Sequence, residues 1–171
     1  MGAGIVPVAL INGTLYFLFG KEVYDGKWGE FGGGSKLGET KLDTAIREGC
    51  EELDGFFGSE YQLKKQVLNN LILSITELDG KHESYVFKTE YDDKLPYYFN
   101  NHHKFIKTQI PEHINNDKNG LFEKSEIRWF TKNDLIKNKK YFRIFYKPIV
   151  EYLISEHTYI LNKSKEIKLN K

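Results

Sequence analysis

The sequence predicts a mixed α/β sandwich, and three observations carry that expectation. Two short apolar segments flank the dipeptide Asn12-Gly13, and two more flank Asp79-Gly80, the turn signals of two hairpins. Between the hairpins stands one strongly patterned helix, over about residues 40–54. A second amphipathic stretch follows at 146–157. Strands on both sides of a helix, with another helix near the end, bury their apolar faces as a sheet covered by helices.

Taken in order, residues 5–11 read as an apolar strand and 14–19 as its returning partner, since Asn-Gly accepts the positive φ values that a two-residue turn demands. Residues 21–26 are polar and end in the turn Asp25-Gly26, and 28–31 lead into Gly32-Gly33-Gly34. Thr40 or Asp43 caps the patterned helix. Residues 59–69 carry apolar side chains at weakly helical intervals, and 71–78 with 82–91 form the second hairpin. Residues 95–106, rich in Tyr, Phe, Asn and His, stay open between a helix and a substrate-facing insertion. Pro111 and four Asn or Gly residues make 110–120 a loop. A short strand at 127–130, a helical turn at 131–136 and the helix at 146–157, with Pro148 near its start, complete the pattern. Residues 1–158 are expected to form a single domain, and 159–171 a flexible lysine-rich tail.

The helix concentrates the chemistry. At about 100° per residue, Glu48, Glu51 and Glu52 share one arc, while Leu42, Ala45, Ile46, Gly49, Cys50 and Leu53 occupy the opposite one. Three carboxylates held this close repel one another unless a cation sits among them. Oxygen-only ligands suit Mg²⁺ or Mn²⁺. Four glycines at 32, 33, 34 and 38 precede the helix and allow close backbone approach to an anion or metal.

With Gly33, Glu39, Arg47, Glu48, Glu51 and Glu52 in this order and spacing, the segment resembles the Nudix box, G-x5-E-x7-R-E-U-x-E-E-x-G-U, where U is a bulky aliphatic residue. Two positions depart from it: Gly49 stands at the aliphatic position, and the closing glycine, Gly55, comes one residue late. Neither change removes a carboxylate. A glycine in the middle of the apolar arc implies a closer approach of helix to sheet, and the late Gly55 implies one extra residue before the cap.

The resemblance implies an α/β/α sandwich with a mixed central sheet and a loop–helix–loop catalytic box, in a Nudix hydrolase cleaving a phosphoric anhydride. It implies Glu48 and Glu52 as metal ligands, Glu51 as a further one, and the Gly32 carbonyl as an additional oxygen. Arg47 and Glu39 would brace the carboxylates. Glu123, six residues before Trp129, matches a loop glutamate that completes the metal site or activates water, and is preferred to Glu126. Lys21, Trp28, Gly33 and Gly34 are candidates for substrate contact. Lys27 and Lys36 flank the phosphate site, and Tyr24 and Tyr85 are further stacking candidates set against a core role. His102-His103 lacks an obvious carboxylate partner, which argues against a zinc site.

Net charge of +1 excludes a uniformly basic nucleic-acid binder. The one cysteine, Cys50, precludes an intramolecular disulfide and fits a reducing compartment, and its place on the apolar arc makes it a packing residue. The N-terminus lacks a basic segment before its apolar stretch, so no signal peptide is expected, and no run of eighteen apolar residues occurs. The expectation is a cytoplasmic enzyme, without membrane association, acting on a nucleotide or other diphosphate-containing small molecule. Capped RNA, met in part by lysines 163, 165, 168 and 171, and diphosphoinositol polyphosphates are alternative substrates. A non-catalytic nucleotide sensor is the competing class. Homodimer formation stays open.

Overall fold

The computed structural model describes residues 1–77, 79–114 and 120–169. Strand β1 (Gly2–Ile11) turns through Asn12, φ 50°, and Gly13, φ 77°, into β2 (Thr14–Glu22), with Leu10 opposite Leu15. The hairpin stands as its sequence implies. β3 (Trp28–Gly29) and β4 (Phe31–Gly34) precede helix α1 (Lys41–Glu52), which Thr40 caps by accepting a hydrogen bond from the Asp43 N–H. Asp54 and Gly55, both at positive φ, turn the chain after α1. Helix α2 (Glu60–Asn70) starts with a reciprocal Ser59–Gln62 capping box. The second hairpin pairs β5 (Leu71–Thr76) with β6 (His82–Lys88), Thr76 opposite Glu83; Leu78 lies outside the described residues.

Residues 95–106 resolve as helix: α3 spans Leu95–Gln109, with Pro96 in its first turn. A 3₁₀ turn, Pro111–His113, follows; the rest of the expected loop at 115–119 lies outside the described residues. Strand β7 (Lys124–Phe130) begins three residues before its sequence-based start at 127. Helices α4 (Lys132–Asn138), α5 (Lys147–Ser155) and α6 (His157–Glu166) end the chain.

Helix α6 corrects the expectation of a flexible tail. Ile160 and Ser164 are buried, and the Lys88 ammonium donates to the Ser164 and Ile167 carbonyls at 2.7 and 2.6 Å. The lysines at 163, 165 and 168 follow the exposed side of that packing, and residues 170 and 171 lie outside the described region. Among the described residues no helix is long and apolar enough to cross a membrane.

The described strands form a seven-stranded mixed sheet, ordered β3-β2-β1-β6-β5, with β4 paired to β1 and β7 to β2. β1 runs antiparallel to β2 and β4 and parallel to β6. Because strand side chains alternate, β1 serves both faces. Ala3, Ile5 and Ala9 pack with Ala45, Ile46 and Leu53 of the α1 region and Leu63 and Val67 of α2. Val6 and Val8 pack with Ile149, Val150 and Leu153 of α5 and Ile160 of α6. The result is an α/β/α sandwich.

Gly49 explains how closely α1 lies on the sheet. A Cβ built there would stand 2.5 Å from Ile5 Cδ1 and 2.8 Å from its Cγ1, inside a core where Ile5 is fully buried. Gly49→Val, which restores an aliphatic residue at this box position, is therefore expected to destabilise the protein by about 1–3 kcal/mol through overpacking. Urea unfolding measures it. A gain in stability would show that the helix has room to spare.

Candidate active site

α1 presents its acidic face beside β4, and one guanidinium organises it. Arg47 is nearly buried. Its Nε donates to Glu39 Oε1 at 2.6 Å and its Nη2 to Glu39 Oε2 at 3.0 Å and to the Gly34 carbonyl at 2.9 Å. Its Nη1 donates to Glu48 Oε1 at 2.7 Å and Glu51 Oε2 at 3.1 Å. A lysine has no such planar fork and could not serve three carboxylates and a carbonyl together. Arg47, the Lys36 N–H and the Thr44 hydroxyl hold the Glu39 carboxyl down at about 2. Reciprocally, the Glu39 contact raises Arg47 above the usual arginine range.

The glycines before the helix have specific work. A Cβ on Gly33 would lie 2.6 Å from Glu48 Oε2, so bare backbone lets the Glu48 carboxylate rest against β4. Gly120, at φ 66°, plays the same part for Glu51, whose Oε2 would lie 2.6 Å from its Cβ. Gly34 is open on its side-chain face, while its carbonyl is taken by Arg47.

Glu52 is placed differently from its neighbours. Its side chain is 3% exposed, against 15% for Glu48 and 25% for Glu51. Oε2 accepts the Gly32 N–H at 2.7 Å, and Oε1 lies 3.0 Å from the ammonium of Lys124, which is itself fully buried. Lys124 also donates to Glu22, which Arg143 Nη1 reaches at 3.1 Å. Burial pushes the Glu52 carboxyl up against the pull of Lys124. For Lys124 burial works against the charge, but Glu52 and Glu22 prevail and raise it.

Glu123 begins the approach to β7, its carbonyl accepting the Val23 N–H at 2.9 Å. Among the described residues no hydrogen bond or ion pair holds its exposed carboxylate. Burial of part of the side chain and the charges of Glu48, Glu22 and Glu51 raise it, with Lys124 opposing. Glu126, the other candidate, points elsewhere: it sits opposite Lys21 in the β2–β7 register and pairs with it at 3.5 Å.

The sequence-based candidates thus divide. Glu39, Arg47, Glu48 and Glu51 are joined through the Arg47 fork, and the field of that group reaches Glu123. Trp28 is corrected: it is 7% exposed, edge-on to Phe130 at 4.9 Å, and has no open face for a base. Lys21 is engaged by Glu126. Lys36 does stand at the mouth, 3.8 Å from Glu51. Tyr24 is exposed, and Tyr85 is half-buried and pushed up to about 12 by burial and by Glu83. Sequence reasoning missed Lys124, Glu22 and Arg143, because a lysine in a lysine-rich chain carries no mark of burial.

His102 has the carboxylate neighbour that its sequence context concealed: its Nδ1 lies 3.9 Å from Asp54 Oδ2, and Asp54 Oδ1 accepts the Phe122 N–H at 3.0 Å. Burial raises the Asp54 carboxyl to about 6. The folded protein then binds this proton more tightly than the unfolded chain, so stability falls as pH rises from about 4 to 6 and is flat above. Asp54→Asn keeps the acceptor and the positive φ; it is expected to remove that slope and add about 1–2 kcal/mol at pH 7.5, as chemical denaturation at several pH values would show. An unchanged slope would contradict it.

The carboxylates of Glu39, Glu48, Glu51 and Glu123 are oxygen donors of the kind that divalent ions take. One guanidinium is divided among Glu39, Glu48 and Glu51, and among the described residues no ion pair holds Glu123. Among the described residues, however, no three His, Cys, Asp or Glu side chains converge closely enough to hold a metal. Arg47 stands between Glu48 and Glu51, and Lys124 between Glu22 and Glu52.

No family profile matches the chain, and no curated protein sequence matches it. Solved structures do. The chain superposes on an Ap4A hydrolase from C. elegans with a TM-score of 0.50 at 19% identity, covering 97% of this chain and 96% of that one. It superposes on a bifunctional NMN adenylyltransferase/ADP ribose pyrophosphatase from Francisella tularensis with a TM-score of 0.53 at 15% identity, over 90% of this chain and 41% of that one. The chain therefore has the α/β/α fold of Nudix hydrolases, and it spans under half of the bifunctional protein.

Proposed function

We propose that this chain hydrolyses a phosphoric anhydride bond in a nucleoside diphosphate linked to another group, with Mg²⁺ or Mn²⁺ as cofactor. The observation that carries the reading is the Arg47 fork. It gathers Glu39, Glu48 and Glu51 against bare glycine backbone, in a fold shared with proteins named for Ap4A and ADP-ribose. Both names denote nucleosides joined to a second group through phosphoric anhydrides.

Glu48 and Glu51 would hold the ion in this reading. When bound, it draws charge from the phosphoryl oxygens and acidifies water. Arg47 and Glu39 keep the two carboxylates in place. Gly34, open on its side-chain face, gives diphosphate oxygens an approach that a side chain would narrow. Glu123 takes the proton of the attacking water, since its carboxylate feels the charges of Glu48 and Glu51 and, among the described residues, no hydrogen bond or ion pair holds it.

A panel of ADP-ribose, Ap4A, a nucleotide sugar, capped RNA and a diphosphoinositol, each with Mg²⁺, tests the reading. Turnover of at least one nucleotide is expected, falling to background in excess EDTA and returning with added Mn²⁺. Tight binding of a nucleotide without any product would make the chain a sensor instead. Turnover undiminished in EDTA would remove the cofactor from the account.

A further inference from the structure

We infer that the solvent face of α3 is a binding surface for single-stranded RNA, with Tyr97, Tyr98 and Phe105 stacking on bases and Lys94 and Lys104 meeting phosphates. The inference goes beyond the proposed hydrolysis and stands without it, since binding of this kind needs neither a divalent ion nor turnover.

At about 100° per residue, Lys94, Tyr97, Tyr98, Asn101, Lys104 and Phe105 fall within one arc of about 120°, opposite the buried Phe99, His103 and Ile106. Tyr97, Tyr98 and Phe105 are 67%, 55% and 60% exposed. A single exposed ring is ordinary, but three on one stripe mark an interaction surface. The two tyrosine rings meet edge to face at 5.5 Å, and among the described residues no other ring packs on Phe105, so ring faces stay open to bases. Inward, the helix touches segments of the candidate site. Phe99 meets Phe56, which follows α1, at 5.4 Å, and His102 lies 5.6 Å from Phe122, the neighbour of Glu123. A strand laid on α3 therefore passes beside that site.

Charge selects the occupant. Although the chain's net charge is only +1, α3 carries Lys104 and Lys107 within it and Lys94 at its N-cap, with no Asp or Glu along its length. Among the described residues no ion pair engages any of the three. A second copy of this face would bring the lysines against themselves, which opposes self-association. RNA meets both halves of the stripe, with phosphates for the ammonium groups and flat bases for the rings. Asn101 donates its Nδ2 to the Tyr97 carbonyl at 2.8 Å, which leaves Oδ1 to accept a ribose 2′-hydroxyl.

Fluorescence anisotropy of a labelled, uncapped RNA of about twelve nucleotides, titrated with the full chain in EDTA, tests the inference. Binding is expected, weakening about ten-fold between about 50 and 200 mM salt as phosphates exchange lysine for counterions. Tyr98→Ala/Phe105→Ala is expected to bind at least about ten-fold more weakly, and Lys104→Ala/Lys107→Ala to flatten the salt dependence. Tyr159→Ala, on α6 across the sheet, should bind as wild type. Should the aromatic double variant melt early, Lys104→Glu, which removes no ring, decides by the same titration, with at least about a five-fold loss expected. No binding by the wild type at about 100 μM protein, or wild-type affinity in the aromatic double variant, would overturn the inference. Polyglutamate competing as well as RNA at equal charge would do the same, by showing binding of any polyanion without stacking. DNA of the same sequence bound as tightly as RNA would overturn the assignment to RNA. Each of these results leaves the proposed function standing, because none depends on the cofactor or on a product.

Discussion

Glu123→Gln is expected to lower kcat by about 10²–10⁴-fold, the range that a general base contributes, while KM changes far less. Glutamine preserves the size and the polarity of the side chain and removes only its capacity to take a proton. Because no partner holds the Glu123 carboxylate among the described residues, the substitution breaks no structural contact, and folding should be unaffected. That separates it from Glu48→Gln, which disturbs the Arg47 fork as well. Glu126→Gln is the internal control: its carboxylate pairs with Lys21 and has no place in the reaction, so activity should persist. Steady-state kinetics on the best substrate of the panel reads all three. Full turnover in Glu123→Gln would move the base elsewhere, with Glu48 next in line.

Lys124→Met is expected to lower the unfolding free energy by about 4 kcal/mol at pH 8, the cost of breaking a buried pair by removing one partner. Glu52 and Glu22 would then face each other with Arg143 alone to offset them. Lacking the ammonium that pulls it down, the buried Glu52 carboxyl rises further, and the folded state binds a proton that the unfolded chain releases. Stability is lost as pH rises in such a case, so the deficit should shrink between pH 8 and pH 5. Urea unfolding at the two pH values checks both the size and the slope. A loss below about 1 kcal/mol at pH 8 would mean that the pair is wetter than its burial implies.

Much of the fold was legible because local chemistry and tertiary packing agree. Asn12-Gly13 and Asp79-Gly80 dictate tight turns wherever they stand between apolar runs, and both hairpins formed there. In α1 spacing alone placed Ala45, Ile46 and Gly49 on the buried face, but Thr44, Arg47 and Glu52, which lie outside the apolar arc, are buried as well. Other elements had no such signature. Helix α6 exposes lysines and, among the described residues, buries Ile160 and Ser164, so it shows itself through the sheet it packs on. The aromatic residues of 95–106 suited a helix and an insertion equally until Phe99, His103 and Ile106 were seen to share a buried face.

The candidate site was legible in its types and less so in its depths. The grouping of Arg47 with Glu39, Glu48 and Glu51 came from the segment's resemblance to the Nudix box. The separation of Glu52 from them did not, because it depends on a lysine seventy-two positions further along the chain and on the register of β7 against β2. Trp28 erred the other way. An aromatic residue beside a phosphate-site lysine looks like a stacking platform, but its edge-on contact with Phe130 uses it in the core.

The most direct measurement is mass-spectrometric identification of products formed from the preferred substrate in H₂¹⁸O with Mg²⁺. The account predicts cleavage at a phosphoric anhydride, with one ¹⁸O in the phosphoryl group of one product and none in the nucleoside. Recovery of every substrate intact, or label that enters at a carbon rather than at phosphorus, would contradict it.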